Sequence, residues 1–86
     1  MKEVIEFRYD VQLLIEGNEM DEDTIGDYIQ NNIKGDSLLC VGDDELIKIH
    51  YHTNEPWDVL AYCATQGDIY DIIVENMQRQ SEGLDG

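Results

Sequence analysis

The chain has 86 residues, 42% of them hydrophobic, and a formal charge of −15 set by 20 Asp and Glu against five Lys and Arg. A chain of this length buries only about 60% of its unfolded surface, which allows one core and no deep cleft of its own. Its apolar content is too high for a disordered acidic tail, and without clustered Lys and Arg it is a poor match for nucleic-acid backbones or anionic membranes.

The acidity reads most simply as a solvated surface, with a basic partner face as the sharper alternative. Cys40 and Cys63 lie far apart in apolar contexts, with no Cys-x-x-Cys pair and no third cysteine. They read as small, buried, reduced hydrophobes. No signal peptide and no long apolar run is present, so the expected location is the cytoplasm, with no membrane insertion.

In chain order, residues 4–16 predict the first strand. Ile5, Phe7, Tyr9, Val11, Leu13 and Ile15 alternate with Glu6, Arg8, Asp10, Gln12, Leu14 and Glu16, the period of a strand covered on one face. Gly17 and Asn18 end it. Glu19, Asp21, Glu22 and Asp23 suit the positive end of a helix. Ile25, Tyr28, Ile29 and Ile33 supply that helix with an apolar stripe, and Lys34-Gly35 with a stop.

Residues 37–41 and 46–52 predict two short strands joined by the tight turn Gly42-Asp43-Asp44-Glu45. Thr53-Asn54-Glu55-Pro56 opens a second helix, with Trp57, Leu60, Cys63 and Ala64 as its inner face and Gly67 as its stop. Residues 69–76 predict the last strand, alternating Tyr70, Ile72 and Val74 with Asp71, Ile73 and Glu75. Residues 1–80 are expected to form a single domain and 81–86 a flexible C-terminal linker.

The order βαββαβ predicts an α+β fold, the ferredoxin-like split βαβ arrangement. Right-handed crossovers put both helices on one face of a four-stranded antiparallel sheet, with the first and third strands central. The other sheet face stays uncovered.

On that open face the informative residues are His50 and His52. If Ile47, Ile49 and Tyr51 face the helices, then Lys48, His50 and His52 face outward, and the same parity sends Asp10 of the neighbouring strand outward too. Histidines at i and i+2 on a strand are roughly 7 Å apart at the backbone, a gap two imidazoles can close around one ion. Two His and one carboxylate satisfy zinc, with a fourth position left for water, a thiol or another chain, and the same set suits other divalent metals. His-x-His alone fits equally well two polar residues on a solvated strand.

Other chemistries find less support. There is no Gly-rich phosphate cradle, and neither cysteine sits in a nucleophile motif beside a base. The acids of the turn read as solvated, and those of the first helix as dipole partners. Trp57 reads as core or as a lid over the sheet edge. No catalytic residue is assigned.

Several segments carry a resemblance. They are Tyr9 with the strand ending Glu16-Gly17, Gly35-Asp36-Ser37-Leu38, Val41-Gly42-Asp43-Asp44-Glu45-Leu46, Lys48-Ile49-His50-Tyr51-His52-Thr53-Asn54-Glu55-Pro56, and Glu75-Asn76-Met77-Gln78-Arg79-Gln80. Together they resemble the middle domain of the catalytic subunit of bacterial fatty acid kinase, a family related to dihydroxyacetone kinase. The resemblance implies a larger parent protein in which another domain binds ATP and transfers phosphoryl groups to a fatty acid held by a DegV-type binding protein. The middle domain would then help form a homodimer or position that partner.

The resemblance also implies metal ligands. The family's two histidines match His50 and His52, while the position of the family's cysteine is held by Asp10. A hard carboxylate there replaces a soft thiolate and alters metal preference, with zinc still the first candidate. Two other readings remain open at this point: a small regulatory ligand-binding module, and a metal-dependent hydrolase using Asp10, His50 and His52. The second suffers from a flat sheet with no wall to exclude water.

Overall fold

The structure, a computed structural model, describes residues 4–86. Residues 1–3 of the expected domain lie outside the described residues. The elements run β1 (Tyr9–Glu16), α1 (Glu22–Asn32), β2 (Gly35–Gly42), β3 (Leu46–Thr53), α2 (Pro56–Gln66), β4 (Asp68–Asn76) and α3 (Met77–Ser81). The four strands form one antiparallel sheet in the order β2-β3-β1-β4, and α1 and α2 pack on one side of it. The expected α+β arrangement is the observed one.

Alternation along the two central strands decides this architecture. Val11, Leu13 and Ile15 of β1 and Ile47, Ile49 and Tyr51 of β3 are all buried, and they meet Ile25, Ile29 and Ile33 from α1 and Val59 and Cys63 from α2. Each fully buried aliphatic side chain of this size contributes about 1.5–3 kcal/mol by leaving water. The Tyr51 hydroxyl satisfies itself inside the core by donating to the Ile33 carbonyl at 2.6 Å. Thr53, the buried polar residue at the end of β3, donates to the Lys34 carbonyl at 2.8 Å.

The ends of the elements differ from the expected ones for local reasons. Strand β1 starts at Tyr9, because its partner β3 ends at Thr53 and the chain turns into α2. The Asn54 side chain takes over where the ladder stops, accepting from the Arg8 N–H at 2.8 Å and donating to the Glu6 carbonyl at 2.8 Å. Asp21 caps α1 by accepting from the Asp23 and Thr24 amides. At the other end Ile33 is the C-cap and Gly35 already belongs to β2, so Lys34-Gly35 is not the helix stop.

In α2 the inner face is Pro56, Val59 and Cys63, with Leu60 at its margin, whereas Ala64 is exposed and Trp57 is 61% exposed. Trp57 is therefore neither core nor covered lid. Tyr28, expected in the buried stripe of α1, is half-exposed and stacks on Tyr62 of α2 with ring centroids 3.8 Å apart, closing the outer seam between the helices. Asn76 caps the short helix α3 by accepting from the Arg79 amide at 3.0 Å.

Both outer strands carry a β-bulge. In β4 the pairs Gln12↔Ile73 and Leu14↔Tyr70 leave Asp71 and Ile72 together opposite Leu13, and Asp71 has φ 50°. In β2 the pairs Asp36↔His52 and Leu39↔His50 leave Ser37 and Leu38 together opposite Tyr51, and Ser37 has φ 58°. Each bulge inverts the parity of its strand partway along. Tyr70, Ile72 and Val74 consequently do not share a face: Tyr70 aligns with Leu14 on the open side, and Val74 aligns with buried Val11.

Gly35 is required by contact rather than by φ. A Cβ there would collide with the His52 carbonyl oxygen and approach the Tyr51 ring to 2.6 Å. Gly35→Ala is expected to lower folding stability by at least about 2 kcal/mol, because the colliding atoms are backbone and core ring. Urea denaturation monitored by circular dichroism checks this, and an unchanged midpoint would contradict it.

Candidate metal centre

The same alternation that buries Ile47, Ile49 and Tyr51 turns His50 and His52 to the uncovered side of the sheet. The β1–β3 register then sets Asp10 directly across from His52 and Gln12 across from His50. The structure thus brings Asp10, His50 and His52 together. One ligand atom from each lies within 4.8 Å of the others, and all three side chains are half-buried.

The spacing is informative. His50 Nε2 lies 2.7 Å from Asp10 Oδ1, the two Nε2 atoms are 3.2 Å apart, and His52 Nε2 lies 3.8 Å from Asp10 Oδ1. Around a tetrahedral ion with bonds of about 2.0–2.1 Å, ligand atoms stand about 3.3 Å apart. The three observed separations bracket that value. The imidazoles meet edge to face at 64°, each presenting Nε2 to the shared point.

Asp10 Oδ1 supplies a second observation. It is buried and accepts no hydrogen bond from the described residues, although His50 Nε2 stands close enough for an ion pair. A buried carboxylate oxygen without a donor is costly, and a bound cation would relieve it. The donor set of two imidazole nitrogens and one carboxylate oxygen fits zinc and neighbouring divalent metals, so these residues fit the group the resemblance implies.

Around the three residues lie groups that parity alone does not disclose. The Gln12 side chain donates to Asp10 Oδ2 at 3.4 Å. Asp36, brought to this face by the bulge at Ser37, places Oδ1 3.6 Å from His52 Nδ1. Leu46 and Ile73, expected on the open face, are exposed there and are joined by Leu39, Val41 and Tyr70. Strict alternation from Cys40, which packs against the core, does place Leu39 and Val41 outward; Asp36 and Tyr70 depend on bulges that no local residue pattern announces.

These features define an α+β domain with an uncovered sheet face carrying a three-residue ligand cluster. The chain belongs to the FakA-like middle-domain family, the middle domain of fatty acid kinase, whose model matches residues 6–84. It is 48% identical over 46 residues to an uncharacterized protein of Staphylococcus epidermidis, a match spanning 54% of this chain and 8% of that protein. It is 42% identical over 50 residues to protein YloV of Bacillus subtilis, spanning 58% of this chain and 9% of that protein. The chain therefore corresponds to a small part of the curated relatives it matches. Among the described residues no helix is long and apolar enough to cross a membrane.

The cysteines stand apart from this cluster. Burial pushes the Cys63 thiol up to about 12, with Cys40 adding to the effect. Burial, then the charges of Glu22 and Asp23, push Cys40 up to about 11, and its thiol donates to the Glu22 carbonyl at 3.3 Å. Both are thiols rather than thiolates at neutral pH, which removes them as nucleophiles. Because the folded chain holds these protons above the unfolded value, folding stability falls as pH rises from about 9 toward 12. At pH 8 an aromatic disulfide reagent is expected to titrate both thiols promptly only after denaturant is added; prompt reaction of the native protein would contradict this.

Proposed function

We propose that this domain is a non-catalytic module of an ATP-dependent kinase, in which the open sheet face holds a divalent metal ion and serves assembly. The observation that carries this reading is the convergence of Asp10, His50 and His52 at ligand spacing on the face that no helix covers. Zinc is the first candidate, held by the two Nε2 atoms and Asp10 Oδ1. When bound, it would supply a positive charge and a cross-link between β1 and β3.

Catalysis within the domain is not part of the proposal. The cluster sits on an open face rather than in a walled pocket, and the sequence holds no phosphate-binding glycine loop. Family membership supports placing ATP binding and phosphoryl transfer in another domain of the parent protein, acting on a fatty acid carried by a DegV-type partner. The exposed Leu39, Val41, Leu46, Tyr70 and Ile73 around the cluster favour a role in contacting a second copy or that partner, because apolar side chains gathered on one face gain by being covered.

Elemental analysis of protein purified without chelator tests the metal. About one equivalent of zinc is expected in the wild type and none in the His50→Ala, His52→Ala double variant, and equal metal in both would remove the site. Light scattering across a concentration series tests assembly. A mass rising toward that of a dimer is expected, and a monomer mass at the highest concentration would remove the self-association arm alone.

A further inference from the structure

We infer that Asp36 is a positioning residue for His52, orienting its imidazole from the far side so that Nε2 is free to bind a divalent metal ion. The inference rests on the reading of Asp10, His50 and His52 as ligands and adds to it a residue from a third strand. His52 turns Nε2 toward Asp10 and His50, so its other ring nitrogen, Nδ1, faces away from them. Asp36 Oδ1 is 3.6 Å from that nitrogen.

A metal-bound imidazole needs its second N–H held by an acceptor, which fixes both the tautomer and the ring plane. Asp36 is the acceptor on the correct side. A movement of about 0.6 Å would bring it to hydrogen-bonding distance. With its side chain 59% exposed, the carboxylate has room to make that movement.

The backbone supports the assignment independently. Asp36 and Leu39 are an odd number of residues apart, so a regular strand would send them to opposite faces. Both nevertheless align with outward-facing histidines, Asp36 with His52 and Leu39 with His50. The extra residue that permits this is held at Ser37 with φ 58°, a left-handed conformation that costs a serine about 1 kcal/mol or more. A strained bulge is thus the means by which a carboxylate reaches His52, and bulges that re-aim side chains occur beside functional sites.

Zn²⁺ affinity measured by competition with a chromophoric chelator tests this, using wild type, Asp36→Ala and His52→Ala. Asp36→Ala is expected to bind Zn²⁺ about 10–100-fold more weakly than wild type, with the thermal midpoint of the metal-free protein unchanged. Equal affinity in wild type and Asp36→Ala would overturn the inference while leaving the ligand reading intact. Absence of Zn²⁺ binding by the wild type would overturn the ligand reading itself.

A second readout needs no metal. Nitrogen-15 shifts of His52 in the metal-free wild type at pH 8 are expected to show the proton on Nδ1, moving toward Nε2 in Asp36→Ala. Protonation of Nε2 in the wild type would overturn the inference whatever the zinc measurements give.

Discussion

The rest of the structure depends on the pairing register of β1 with β3. These central strands each bury one face completely, through Val11, Leu13 and Ile15 on one and Ile47, Ile49 and Tyr51 on the other. A slip of one residue would exchange those side chains with Asp10, Gln12 and Leu14 or with Lys48, His50 and His52. Such an exchange would bury ionisable groups and expose the core at once. The hydrophobic core therefore fixes the register, and the register fixes which polar groups meet on the opposite face. No separate device is needed to bring Asp10 beside His52.

This coupling explains what the amino-acid pattern makes legible. On β1 and β3 every side chain faces where its parity sends it, so the core, the open face and the three-residue cluster follow from alternation alone. The outer strands escape such reading. Each has a neighbour on one side only, and each accommodates an extra residue at positive φ, Ser37 in β2 and Asp71 in β4. Neither is glycine, the residue that would have marked such a conformation. Trp57 fails for another reason: it stands in the first turn of α2, where the buried positions are Pro56 and Val59, and a large apolar side chain next to them carries no signal of its orientation.

The bulges also bear on aggregation. Strands β2 and β4 are sheet edges, and an edge with regular pairing groups and apolar side chains invites another strand. Breaking the ladder at Ser37–Leu38 and at Asp71–Ile72 disrupts the template on both edges, with Asp71 placing a charge at one of them. Association through the flat face rather than through the edges is then the physically favoured mode, which accords with the proposed assembly role. The excess of acidic residues over basic ones opposes close approach of two copies, so any face that associates must gain enough from apolar cover to exceed that repulsion.

A cation at the cluster would act on this balance directly. Asp10 is among the few carboxylates brought to the middle of the open face, and its Oδ1 is buried without a hydrogen-bond donor. Covering the face with another protein surface would remove the remaining solvent from that oxygen and raise its desolvation cost. Neutralising it with a metal ion held also by two imidazoles would remove the penalty before the surface closes. On this argument metal binding and assembly are thermodynamically linked in the proposed function: whatever covers the apolar side chains around the cluster favours the occupied site, and the occupied site favours being covered.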